Sequence, residues 1–302
     1  MTQDRRPPPS LPLTSVPTGR DGGGLVLLIA VRCAATPLLA QRGGRSVPPP
    51  VAPRAAAPVE LTGYWVSVVT EDWRWRMVTP AKGDYDSVPL NANGRRVADT
   101  WDPKSDEAAG EQCRSYGAPA IMRVPGRIHI TWENDTTLAI ETEAGTQSRV
   151  LRFSSPGPPP AAATINAETA ARAEKPTSAG SASSALTVVE PTWQGQSVAQ
   201  WELGGGGGMF GVGRAKPSGG LKVVTTRLRP GYLRRNGVPY SATALVTEYF
   251  NALPHEDNGD TWLVVTTVVT DPQYLTGRFI TSSHFKKLPD GRAWRPTPCR
   301  AS

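Results

Sequence analysis

A chain of 302 residues with 38% apolar residues is long enough for one or two cores, but its 30 prolines and 30 glycines indicate much non-helical chain. The net charge of +7 is spread along the sequence, and a chain starting at Gln41 keeps 29 bases against 24 acids. That balance suits solubility and weak attraction to anionic surfaces. It argues against a dedicated nucleic-acid site, so no nucleic-acid partner is expected.

The first 40 residues have the form of a targeting segment. Arg5, Arg6 and Arg20 precede the apolar run Leu25 to Val31, and small residues suitable for cleavage follow near Ala40. The run is shorter than the ~20 apolar residues a membrane span needs. The expectation is therefore a signal peptide over 1–40 and a secreted or periplasmic protein without integral membrane association. Removal of that leader takes Cys33 with it and leaves Cys113 and Cys299, an even pair that an oxidising compartment favours as a disulfide. A bridge closing so long a loop would contribute up to ~4–5 kcal/mol. No CxxC or HxxxH spacing occurs, so neither a metal site nor a cofactor is expected.

Residues 41–60 are a Pro/Ala/Arg-rich linker. From Leu61 a single β domain is expected to run to residue 302. LTGYWVSVV and WRWRMV read as strands, and the polar stretch Asn91 to Tyr116 as short helices. The period of two returns in IMRVP, RIHITWE, TTLAIETE and TQSRVLRF, with Asn134-Asp135 as a tight turn. Residues 154–191, rich in Pro, Ala and Ser, read as a disordered insertion between strands of one sheet. SVAQWEL, LKVVTTRLR, ATALVTEYF, TWLVVTTVV and RFITSSHF complete the set, with Asn258-Gly259 as a hairpin signal. The predicted fold class is mainly β: about ten strands in an antiparallel lipocalin-like barrel or strongly bent closed sheet, since closure removes the edges.

Several side chains in this frame are chemically conspicuous. In TEDWRWRM a strand period puts Trp73, Trp75 and Met77 on one face as a core stripe and Arg74 and Arg76 on the other. Those arginines are either a solvated face or the charged wall of a cavity, where forked guanidiniums would hold a carboxylate or sulfate. Glu248 shares its strand face with Ala244, Val246 and Phe250. A carboxylate there must pair, with Arg227 or Arg229 as the nearest sequence candidates, or stay neutral, as happens at functional sites. His284, on one face with Ile280 and Ser282, is the best acid/base candidate of three histidines. Ser282 and Ser283 are adjacent to it, but no GxSxG elbow is present and strand neighbours point oppositely. His129 falls on a polar strand face and His255 in a loop. The glycine run Gly204 to Gly220 lacks the GK pair of a phosphate loop, and HEDNGD lacks calcium-loop spacing, so both read as turns.

The segment from Gly195 to Phe250, continuing from Thr261 to Phe285, resembles a group of uncharacterised exported bacterial proteins. Their pattern is a G-x-S-x-G-x-W-E hairpin with a following L-x-V-x-T strand, then V-x-E-R-F and D-P-x-x-Y. Here Gly195 to Leu203 and Lys222 to Thr226 supply the hairpin, with Ala199 in place of its second Gly. Glu248 matches the acid, and Tyr240-Ser241 stands where His-Ser is usual. The resemblance implies secretion and a lipocalin-like architecture, with no established reaction. Thr62 to Trp65 also resembles the GxW opening of lipocalins, which implies a structural Trp65 at the barrel base beneath an arginine.

Three functions follow as expectations. The foremost is an exported barrel that binds a small apolar or aromatic ligand, with Trp73, Arg74, Trp75, Arg76, Tyr240 and Glu248 as contacts. The alternative is a secreted hydrolase, lyase or isomerase using Glu248 or His284. The third is an envelope scaffold that engages other proteins.

Overall fold

The computed structural model describes residues 51–154, 190–203, 219–254 and 258–301, all within the unit Pro49–Ser302. The proposed leader, the first half of the 41–60 linker, nearly all of the 154–191 insertion and of the glycine run, and His255 lie outside them. Nine strands close into a barrel: β1 (Gly63–Val68), β2 (Arg127–Asn134), β3 (Thr137–Thr142), β4 (Gln147–Phe153), β5 (Gln196–Leu203), β6 (Gly219–Thr226), β9 (Leu245–Pro254), β10 (Thr261–Thr270) and β11 (Phe279–Lys287). β7 (Gly231–Arg234) and β8 (Val238–Tyr240) form a separate hairpin. The closed sheet matches the expected class, with one difference: β4 pairs with β5 in parallel, through Leu151 and Ser197, so the barrel is mixed. The parallel seam exists because the chain must return to the other end of the barrel between Phe153 and Gln196 before it can pair.

Alternation of side chains along these strands decides what fills the barrel. Leu263, Val265 and Val269 of β10 point inward with Val246 and Phe250 of β9, Val223 of β6 and Phe285 of β11, all essentially inaccessible to water. Trp65 is fully buried at the β1–β11 seam, donates its indole N–H to the Leu61 carbonyl at 2.9 Å and lies under the Lys287 ammonium. Trp65 is therefore structural, and the cation over it is a lysine from β11.

A second apolar cluster covers one end of the barrel. It gathers Val246, Val269 and Phe279 from the strand ends with Tyr85, Leu90, Leu233 and Tyr240 from the connecting segments. The expected short helices are here: α2 (Ala92–Ala98), whose Asn91 side chain accepts the Gly94 N–H at 2.8 Å, and α3 (Pro103–Ala108), capped by Asp102. The β7–β8 turn uses Gly237 at φ +82°, where an added Cβ would strike Trp101. Its Asn236-Gly237 step is a hairpin signal that the sequence reading passed over. The Cys113–Cys299 disulfide is formed, with the Cα atoms 5.1 Å apart, and ties the C-terminal tail beside Gly145 and Gln147 at the same end.

Two stretches predicted as strands are not. WRWR forms the one-turn helix α1 (Trp73–Arg76), and IMR of IMRVP forms a 3-10 turn (Ile121–Arg123). The chain leaves β1 through Asp72, which adopts a left-handed conformation at φ 51°, and the Asp72 carbonyl then accepts the N–H groups of Trp75 and Arg76. A period-two pattern in four residues carries no information about which partner strand exists. Among the described residues no strand runs beside this segment, and a local turn satisfies its backbone instead.

Candidate functional site

The strand face assigned to Glu248 is the barrel interior. The carboxylate is fully buried and meets the Arg149 guanidinium of β4 in a two-pronged contact, Nη1 to Oε1 at 3.0 Å and Nη2 to Oε2 at 2.5 Å. Neither side chain is reached by solvent. Thr267 stands opposite Glu248 in the β9–β10 register and Thr281 opposite Thr267, so a polar belt crosses an otherwise apolar core. The expected partners, Arg227 and Arg229, are not used. Arg227 sits past the end of β6 at φ 53°, and Arg229 pairs with Glu111. Arg149 was legible as a candidate: it shares a strand face with Leu151 and Phe153, the same pattern that singled out Glu248.

His284 lies on the barrel exterior, on the strand face opposite buried Ser283 and Phe285. Its Nδ1 is 2.8 Å from Thr70 Oγ1 and 3.2 Å from Glu71 Oε2. Glu248 and His284 are thus on opposite sides of the barrel wall and do not form one acid/base pair. His129, also outward, stacks on Tyr64 with ring centroids 4.0 Å apart.

The helical turn redistributes the TEDWRWRM side chains. Trp73 and Met77, expected in the core, are 67% and 58% exposed, and Arg74 stays on the surface, paired with Asp84 at 3.0 Å and lying 5.3 Å from the Trp75 ring. Arg76 is the residue that turns inward. It is 3% exposed, pairs with Glu71 and donates its Nε–H to the Arg123 carbonyl at 2.9 Å. Trp73 and Met77, at i and i+4 of the turn, stand together in solvent, while Arg76 is directed inward by its contacts with Glu71 and the Arg123 carbonyl. Trp75 packs between, with the Arg234 guanidinium 4.9 Å from its ring and its indole N–H on Asp84. Tyr240 is buried in the second cluster, its hydroxyl against Gly117 and Gly231, and that burial pushes its ionisation upward.

Arg76 belongs to a group that sequence reasoning did not assemble. Arg123 of the 3-10 turn and Arg234 of β7 are 6% and 3% exposed, and with Arg76, Trp75 and Leu233 they line one pocket. Arg123 pairs with Asp72 at 2.8 Å. Arg234 donates to neutral acceptors, the Asp86 carbonyl and Ser87 Oγ, each at 2.7 Å. Burial, with the neighbouring Arg123 charge, pulls the Arg234 guanidinium down to about 10, and burial lowers Arg76 as well.

At the opposite end the barrel opens on an aromatic group. Trp132, Phe153 and Trp201 project from the ends of β2, β4 and β5 with ring centroids 5.2 to 6.3 Å apart. The segment 51–62 crosses this mouth, held by Trp201 Nε1–H donating to the Pro53 carbonyl at 2.7 Å and by the Arg54 N–H on the Asp135 carbonyl. Between strap and barrel lies a cavity of about 340 Å³ walled by Trp132, Trp201, Leu138 and Leu61, with Arg54 and Glu60 at its rim.

The segments Asp271-Pro272-Gln273-Tyr274 and Tyr240-Ser241 meet: buried Asp271 accepts the Ser241 N–H at 2.7 Å and its hydroxyl at 2.8 Å, locking the start of β9 against the end of β10. Among the described residues, no group of three or more His, Cys, Asp or Glu side chains is arranged to hold a metal, and no helix is long and apolar enough to cross a membrane. Compared with models of known protein families, with curated proteins and with solved structures, the chain matches none, so what stands is a closed nine-stranded mixed β-barrel with no family identified.

Proposed function

We propose that this chain is an exported β-barrel protein that holds a small apolar or aromatic molecule at the barrel mouth, against Trp132 and Trp201. The observation that carries the reading is the 340 Å³ cavity at that mouth. It falls in the ~300–1,000 Å³ range of small-molecule sites. The lining is mixed: Trp132 and Trp201 supply flat ring surface, and Arg54, Glu60, Thr62 and Thr131 supply polar contacts that orient a ligand. Export rests on the leader-like sequence of the first 40 residues and on the Cys113–Cys299 disulfide, a linkage that persists in oxidising compartments.

The experiment is a thermal-shift and tryptophan-fluorescence screen of the full chain against a panel of small aromatic and apolar compounds. A ligand present at a hundredfold its Kd adds ~2.7 kcal/mol of stability. That gain disappears in Trp201→Ala while the fold persists. A panel that neither stabilises the protein nor alters its fluorescence, or hits that survive Trp201→Ala unchanged, would move the reading to an envelope scaffold.

A further inference from the structure

Three buried guanidiniums around one pocket need a physical explanation. Taking an ion out of water costs several kcal/mol, and burying like charges together adds repulsion, so such groups persist where anions compensate them. Two carboxylates do so by contact, Glu71 on Arg76 and Asp72 on Arg123. Among the described residues Arg234 has no carboxylate in hydrogen-bond contact; Asp72, Asp84 and Asp86 act on it at longer range. Each of the three also keeps an unused buried donor: Nη2 of Arg76, Nη2 of Arg123 and Nε of Arg234. Buried donors left unmade cost free energy, the more so on charged groups. The three come from different elements, namely α1, the 3-10 turn and β7. Both Arg123 and Arg234 lie within 6.0 Å of the Phe279 ring, so the fold has gathered them.

The space beside them indicates the occupant. The pocket itself has room for about 20 Å³, enough for one or two water-sized oxygens. It adjoins a second cleft of about 320 Å³ that shares Arg76, Val124 and Arg235 and is walled by Met77, Tyr116, Pro125 and Pro298, with Arg300 at its side. A small polar recess with unspent donors opens beside a larger, mostly apolar one.

We propose that this is a second binding site, distinct from the barrel mouth, and that it takes a small organic carboxylate whose head meets Arg76, Arg123 and Arg234 while its apolar body lies in the larger cleft. A planar carboxylate presents two oxygens in the plane of a guanidinium fork, which the recess accommodates; a tetrahedral phosphate brings three into the same space. Binding supplies the missing counter-charge to Arg234 and acceptors to the idle N–H groups. Affinity then comes from charge and fork geometry, and selectivity among acids from the apolar walls.

The test titrates the full-length, disulfide-bonded protein with benzoate, with neutral benzamide of the same shape and with chloride at matched ionic strength. Calorimetry and the melting temperature are read together. Benzoate binds saturably and raises the melting temperature, whereas benzamide and chloride do not. Arg234→Gln weakens benzoate at least tenfold, and Arg152→Gln, which removes an equal charge from the barrel exterior, leaves it unchanged. Should Arg234→Gln fail to fold, Arg123→Lys keeps the charge, loses the fork and weakens benzoate to a similar degree. Equal effects of benzoate and chloride, or full affinity in the folded Arg234→Gln or Arg123→Lys protein, overturn the proposal. Neither result touches the mouth site, which is decided on Trp201.

Discussion

Replacing Glu248 by Gln removes one charge from the centre of the barrel and changes almost no volume. The Arg149 guanidinium would then remain without its counter-ion, 1% exposed, with an Nε that already has no acceptor. Breaking a buried ion pair from one side costs about 3–5 kcal/mol, a large share of the 5–15 kcal/mol typical of total stability. For a domain of this size each kcal/mol corresponds to ~2–4 °C, so the melting temperature falls by about 6–20 °C. Arg149→Met alone strands the carboxylate and costs a similar amount. The double variant Arg149→Met/Glu248→Leu removes both charges and both desolvation penalties, and its stability returns to within about 2 kcal/mol of the parent. Urea unfolding of the four proteins with the disulfide intact gives the complete double-mutant cycle. Single variants that each lose less than about 1 kcal/mol, with an additive double variant, would refute the reading of this pair as the internal tie between β4 and β9.

Two further outcomes follow from burial. Trp73→Ala leaves stability within about 0.5 kcal/mol of the parent, because that indole is in solvent, whereas Trp65→Ala costs about 3–5 kcal/mol. Denaturant melts with equal losses for the two would contradict the helical turn at Trp73. In alkali, burial and the hydrogen bond to Asp99 push Tyr85 up to about 12, and burial raises Tyr232 and Tyr240 too. The unfolded chain loses these protons near pH ~10. Their contribution is therefore complete below that pH and is lost as pH rises toward 12, at ~1.4 kcal/mol per pH unit for each tyrosine. Tyr85→Phe flattens the slope of stability against pH between about 10 and 12; identical slopes for variant and parent would count against it.

The strands with long, regular alternation were legible: β2, β5, β6, β9, β10 and β11 all fall on stretches whose period-two pattern announces them, because a half-buried strand imposes that pattern over many residues. The same alternation put Glu248 on an apolar strand face, which the structure turns inward, and the GxW resemblance made Trp65 structural. The pair Cys113 and Cys299 was likewise readable once Cys33 was assigned to the expected leader, and the structure joins it. Where the pattern is only four residues long, as in WRWR, it is compatible with either period, and the left-handed step at Asp72 decides for a turn.

What the sequence by itself determined is the class of this protein: mainly β, closed, with short helices before the second strand. Tertiary structure alone decided the partners. Arg149 and Glu248 are 99 residues apart, and only the curvature of a closed barrel brings their strands face to face across the interior. Arg76, Arg123 and Arg234 come from three separate connections, none with a repeating pattern, so nothing in their local sequence marks them as neighbours. Hydrophobic period is a local signal carried by one strand at a time. The meeting of charges across a barrel or between loops depends on closure and register, and these are properties of the whole sheet.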